Sequence, residues 1–414
     1  MGFQQGLSGL NAASKSLDVI GNNISNANTV GFKQGKAEFS DVYANALNGS
    51  SGISAGIGTQ LTSVVQQFTQ GNITTTNNPL DVAINGGGFF RMSNNGAISY
   101  TRNGQFQLDK FGNVVNSQGL QLTGFMANAA GVLQTGSPTV ININTSDIAP
   151  QATGSIATVM NLNSTKSVPA NTPFSPTDVT TYNDSTSINI FDSLGNAHVF
   201  QTFYVKNAAT NSWSVYGTLD GTQIGAAPLT TLTFSNLGAL TGVTGNLGPT
   251  YPNAVSVSAP VATGAVTPLT FRFDFSGTTQ FGSAFSVSKN LQDGYASGKL
   301  AKFNISKDGT LVGSYTNGKT NTLAQVVLAS FTNPNGLQST GDNQWIETAA
   351  SGNPLVGPPT TGNLGSLTSS ATEDSNTDLT GELVNMITAQ RIYQANAQTV
   401  KTQDQILQTL VNLR

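Results

Sequence analysis

His198 is the only histidine of the chain, and Asp192 stands a few residues before it. A Ser-His-Asp relay would use such a pair. The surrounding run Ala197-His198-Val199-Phe200-Gln201-Thr202-Phe203, however, alternates as a strand, where the ordinary place of a histidine is solvent-facing or hydrogen-bonded. A single histidine supplies neither a two-histidine zinc site nor an HExxH or HxE motif. With no cysteine there is no disulfide, thiolate nucleophile or thiolate metal site. The run Asn85-Gly86-Gly87-Gly88 has the glycine content of a phosphate loop. It lacks the Lys and Ser or Thr that open a helix in such loops, and Phe89-Phe90 starts a strand, so a tight turn is expected. Glu373 and Asp374 precede a C-terminal helix, whose dipole accounts for them. No Asp-x-Asp-x-Asp-Gly calcium loop occurs. A glycosidase pair built from carboxylates distant in sequence stays open. The expectation is no catalytic residue, no metal ligand and no cofactor.

The composition points the same way. Charged residues are 9% of 414, with Gly, Asn, Thr, Ser and Gln in their place. A net charge of -3 offers no basic footprint for nucleic acid or an anionic bilayer. No apolar run is long enough to insert in a membrane, and the N-terminus lacks the three regions of a secretory signal. These criteria predict a protein that is cytoplasmic or exported by a signal-less route.

Two stretches read as helices. Phe3, Leu7, Leu10, Leu17 and Ile24 recur at helical spacing, with Ala13 and Ile20 widening the face, into a cluster of turn formers at Gly21, Asn22, Asn23, Asn26, Asn28 and Gly31 where the helix frays or stops. At the other end Asp378 or Thr380 is the candidate N-cap, with Glu382 in the first turn. A heptad seam then runs Leu379, Leu383, Met386, Gln390, Tyr393, Ala397, Val400, Asp404, Leu407, Val411. With neither Gly nor Pro after Glu382, this helix is ~50 Å long. Ile392, Ile406, Leu410 and Leu413 form a second stripe beside the seam. Together the stripes are too broad for the two helices to cover each other, which predicts self-association.

Between the ends the pattern is β. Residues 34–78 read as an extended connector. Strands are expected over Leu80–Ile84, Phe89-Phe90, Ile98–Tyr100 and Phe106–Leu108, with hairpin turns at Leu194-Gly195-Asn196, Asp220-Gly221 and Asp308-Gly309. The predicted class is α+β, mainly β. Terminal helices over 1–33 and 372–414 form a coiled-coil-like assembly domain. An inner β-rich domain spans 79–145 and 286–371, and an outer one, 146–285, is inserted in it, both barrel- or sandwich-like.

The run Leu17-Asp18-Val19-Ile20-Gly21-Asn22-Asn23-Ile24-Ser25-Asn26-Ala27-Asn28-Thr29-Val30-Gly31-Phe32-Lys33 resembles the signature of the bacterial flagellar axial proteins, a family of rod, hook and hook-associated subunits. Its marker positions are Asn22, Asn23, Asn26, Asn28, Thr29, Gly31, Phe32 and Lys33. Asn78–Ile84, Tyr100-Thr101-Arg102-Asn103-Gly104 and Leu383–Arg391 with Tyr393–Asn396 are similar to the hook subunits of that family. The resemblance implies a non-enzymatic subunit of a helical homopolymer, a flexible tube that transmits torque. It implies as partners further copies of the chain, the flagellar rod at one end, a hook-filament junction protein at the other, and a hook cap and type III export apparatus during assembly. It also implies an extracellular location reached without a cleaved signal. The residues expected at the assembly interface are Phe3, Leu7, Leu10, Leu17, Ile20, Ile24, Leu379, Leu383, Met386, Tyr393, Val400, Leu407, Leu410 and Val411. A distal rod or hook-associated subunit, and a β-rich surface enzyme or carbohydrate-binding module, remain as alternatives.

Overall fold

The computed structural model describes residues 2–42, 56 and 58–412. The chain forms two compact units. One takes in both ends of the sequence, up to Thr145 and again from Lys302, without Tyr315–Lys319. The other takes in Ser146–Ala301 with Tyr315–Lys319.

In the first unit, helix α1 spans Gly2–Ser25 and helix α2 spans Leu379–Asn412. Helix α1 ends within the predicted cluster of turn formers, between Asn23 and Asn26. It runs on to Ser25, because Asn26 donates through both its backbone N–H and its side-chain amide to the Asn22 carbonyl, satisfying an acceptor the helix end would otherwise leave bare. Asp378 caps α2, its carboxylate accepting from the Thr380 N–H at 3.0 Å.

The stretch read as an extended connector holds an antiparallel hairpin, β1 (Gly35–Val42) with β2 (Gly58–Gln66), bulged between Glu38 and Phe39. Its apolar residues Phe39, Leu61 and Val64 are too sparse among Gly, Ser, Thr and Gln for a clear period-two pattern. Strand β3 (Ile73–Thr75) then pairs with Ala371–Glu373, and β4 (Val82–Asn85) with Ser366–Ser369. These two short ladders tie the returning chain to the outgoing chain just ahead of α2.

The glycine run after Asn85 is the expected tight turn, with Gly86 and Gly88 at positive φ, leading into β5 (Phe89–Asn94) and β6 (Ala97–Thr101). Strand β5 pairs with β6 and with Gln121–Met126, which pairs in turn with Thr320–Val326. Phe89, Tyr100, Phe331 and Trp345 pack under this sheet edge to face, with centroids 4.8–5.9 Å apart. The Trp345 indole N–H donates to Gln66 of β2.

The second unit is a sandwich. One sheet is an antiparallel run of Asp184–Phe191, Ala197–Lys206, Ser212–Leu219, Thr230–Phe234 and Leu240–Val243. In the other, Ser155–Asn163 pairs in parallel with Leu269–Asp274 and antiparallel with Ser286–Gln292. Phe200, Tyr204 and Trp213 of the first sheet meet Met160, Phe271 and Phe273 of the second in one fully buried core. The turns at Gly195, Gly221 and Gly309 fall where the sequence places them, each glycine at positive φ.

Candidate assembly interface

Helices α1 and α2 pack antiparallel on small residues. A Cβ added at Gly6 would meet the Val400 side chain at 3.0 Å, and one at Gly9 the Asn396 amide at 2.7–2.9 Å, so the backbones approach closely there. Ala13, Ile20 and Asn23 continue that buried line on α1, and Glu382 and Ala389 are its buried partners on α2. The face of α2 that packs on α1 is thus largely not the heptad seam. Glu382, Ala389 and Asn396, each one position before Leu383, Gln390 and Ala397, turn inward. The sequence pattern ranks faces by apolar mass. What turns inward is set by the partner instead: Asn396 packs at Gly9, and the Glu382 carboxylate accepts from Asn23 and Gln34.

The larger apolar residues are left on the outside. Phe3, Leu7, Leu379, Leu383, Tyr393, Leu407 and Val411 are exposed, as are Val384, Ile387 and Ile392 beside them. Leu10, Leu17, Ile24, Met386 and Val400 are half-buried, whereas Ile20 is buried within the chain itself. The side chain of Leu410, like Leu413 as a whole, lies outside the described residues.

The marker residues form a knot at the base of the helices. The Asn23 amide mimics a strand neighbour for Gly35, accepting from its N–H at 2.9 Å and donating to its carbonyl at 2.8 Å. Asn26 is held on Asn22 and accepts from the Thr29 hydroxyl. Gly31 has φ of +72°, and a Cβ on it would lie 2.5 Å from the Asn103 nitrogen. Its N–H donates to the Glu373 carbonyl. Phe32 is half-buried beside it and Asn28 faces solvent.

Lys33 closes the knot. Its buried ammonium donates to Glu373 Oε1 at 2.6 Å and to the Thr69 carbonyl at 2.7 Å. Arg102 Nη1 reaches Glu373 Oε2 at 3.2 Å, Arg102 Nη2 donates to the Gly86 carbonyl, and the guanidinium lies over the Phe89 ring. Two cations thus share one carboxylate. Burial pulls the Lys33 amine below its ordinary value even though Glu373 opposes this.

The helix-dipole account of Glu373 is corrected accordingly. Glu373 ends a strand and lies wholly buried, and its carboxylate is held by two cations and the Gly71 N–H rather than by a helix terminus. Glu382 does sit in the first turn of α2, but it too is buried and accepts from Gln34 at 2.6 Å. Asn376 adds a third link, accepting from the Gln34 N–H and donating to the Gln67 carbonyl. The pairing of Gln34, Glu373, Asn376 and Glu382 escaped the sequence reading because each has a partner more than 300 residues away.

In the second unit His198 is buried, with Nδ1 2.6 Å from Asp220 and Nε2 3.2 Å from Asp192. Both ring nitrogens are thus engaged by carboxylates, and neither is turned to a hydroxyl nucleophile. Asp192 also accepts from Thr263 at 2.6 Å and from Asn196 at 2.9 Å. Burial lowers the imidazole pKa, but its bonds to Asp220 and Asp192 outweigh that and raise it overall.

Both ends of the chain are of the flagellar axial class: residues 3–33 match the flagella basal body rod protein family, and residues 368–413 the flagellar basal body rod FlgEFG protein C-terminal family. Residues 83–158 match the flagellar hook protein FlgE/F/G D1 domain, and 161–295 the flagellar basal body protein FlaE D2 domain. The flagellar hook protein FlgE of Escherichia coli is 45% identical over 100% of both chains, and that of Borreliella burgdorferi 32% identical over 99% of this chain and 98% of its own. The Helicobacter pylori flagellar hook protein FlgE2 superposes with a TM-score of 0.52 at 13% identity, over 71% of this chain and 98% of that one. The chain belongs to the flagellar hook protein FlgE family.

Proposed function

We propose that this chain is the structural subunit of the flagellar hook, polymerising through α1 and α2 into a flexible tube that passes torque from rod to filament. The observation that supports this is the division of labour on the helix pair. Small residues hold the two helices together, while Phe3, Leu7, Leu383, Val384 and Ile387 remain outside with apolar surface to bury. Such surface on a single chain is satisfied by further copies, and a heterologous contact propagates a helix.

The partners are then copies of the chain, the rod at one end and the hook-filament junction protein at the other, with the cap and type III export apparatus acting during growth outside the cell. Export without a cleaved signal goes with this role, as does the absence of catalysis: His198 serves to hold loops, and Glu373 to neutralise two cations. Residues 1–33 and 372–414 act as the assembly segments, with the β-rich residues between them on the outer side of the tube. Electron microscopy of the purified polymer tests the reading. Curved tubes are expected; straight rods, or a chain that stays monomeric at every concentration, would refute it.

A further inference from the structure

Helix α2 outruns its partner. The antiparallel pairing sets Gly6 against Val400, Gly9 against Asn396 and Asn23 against Glu382, so Gly2 stands level with about residue 403. Beyond that level α2 continues to Asn412, a further ~13 Å. Val400, whose side chain packs at Gly6, begins an apolar stripe that runs on past that level. Leu407 follows Val400 by one heptad, and Val411 follows Leu407 by one turn, yet they are 54% and 75% exposed.

At the opposite end of the same helix pair lies a groove of about 530 Å³ between α1, α2 and β1, with Val19, Ile20, Ala389 and Ile392 among its walls and Lys36 on its rim. Resting on the hook-subunit reading above, we propose that the overhanging end of α2, residues 404–412, docks into this groove on a second copy of the chain. Three observations favour that occupant. The projecting stripe continues by one heptad from Val400, which packs at Gly6 of α1, so it has the spacing to meet a helix of this kind. Asp404, Leu407 and Val411 share one face at i, i+3 and i+7, the anchor spacing of a helix laid in a groove. Asp404, which accepts only a local bond from Gln408, brings a negative charge toward the positive Lys36. Projection and groove stand at opposite ends, so the contact is head to tail and leaves one projection and one groove free on every joined pair.

The lack of native cysteine makes the test direct. Ser16 lines the groove, and in one chain it is level with a part of α2 ~27 Å from Leu407, far beyond disulfide reach. Full-length chain carrying Ser16→Cys and Leu407→Cys, assembled and oxidised, is expected to run as a ladder of reducible multimers. A mixture of the two single variants should stop at dimers, and each variant alone at monomer. Polymer that forms without cross-linking overturns the proposal, as does cross-linking of either cysteine to a protein of different mass. Failure of the unsubstituted chain to polymerise would strike the hook-subunit reading instead. Should the cysteines hinder assembly, charge exchange decides: Asp404→Lys is expected to lower polymer yield at least tenfold, and Lys36→Asp in the same chain to restore it to within twofold. Absence of that loss or of that rescue overturns the docking.

Discussion

The Lys33 ammonium and the Glu373 carboxylate meet at 2.6 Å with neither side chain exposed, across 340 residues of sequence. Arg102 shares the same carboxylate, so the cluster holds one anion for two cations. Its members are therefore not equivalent. Glu373→Gln strands both cations and is expected to destabilise the first unit by about 3–5 kcal/mol. Lys33→Met leaves a balanced Arg102–Glu373 pair and is expected to cost only about 1–3 kcal/mol. Denaturant unfolding followed by Trp345 fluorescence, in a chain carrying Trp213→Phe, checks the order; equal losses would mean the charge imbalance has no energetic weight.

Gly31 and Gly21 sit ten residues apart and should respond oppositely to alanine. At Gly31 the positive φ and the Asn103 backbone leave no room for a Cβ, so Gly31→Ala is expected to cost about 2–3 kcal/mol. Gly21 lies within α1 with open space around its Cβ position, and Gly21→Ala should gain about 0.5–1 kcal/mol. Thermal unfolding of the two variants compares them directly.

Leu383 and Ile387 separate folding from assembly. Both are exposed on α2 away from α1, so replacing both with Gln should leave unfolding of the free chain within about 0.5 kcal/mol of the parent. Polymer yield, measured by sedimentation, should collapse. Polymer formed at the parent's level would remove this face from the interface.

His198 makes the second unit sensitive to alkali. Its pKa is raised in the folded chain, so its contribution is complete below the unfolded value of about 6.5 and fades as pH climbs through the higher folded value. Asp192 and Asp220 are shifted down, each pulled by its hydrogen bonds against the effect of burial, and their contribution fades only as pH falls below about 4. Unfolding midpoints read from Trp213 should decline as pH rises above about 6.5. In His198→Asn that decline should be absent, and an unchanged slope would show that the imidazole is not its source.

Much of the fold was legible because it is written locally. The four-and-three spacing of Phe3, Leu7 and Leu10 marks α1, and glycine after Asn, Asp or Leu marks the hairpins. What escaped was non-local. Glu373 looks like a helix-start carboxylate until Lys33 and Arg102 are brought beside it, and nothing near it in sequence announces them. The inward face of α2 could not be read from α2 alone, since Asn396 and Val400 are selected by Gly9 and Gly6 of α1. Residues 34–78 showed too few apolar groups for a hairpin pattern, and the hairpin leans on α1 rather than on a core of its own.

The position of Glu373 also governs when the first unit can close. A ribosome makes Lys33 and Arg102 early, and about nine-tenths of the chain must exist before their counter-ion does. The second unit draws its core from one continuous stretch and can condense while synthesis goes on, but the ladders of β3 and β4 wait for the returning strands. Completion of the chain is thus the timer for the helix-bearing unit. Until the last residues arrive, it stays in the open state of a high-contact-order fold, with its ends apart and its apolar helices unpaired.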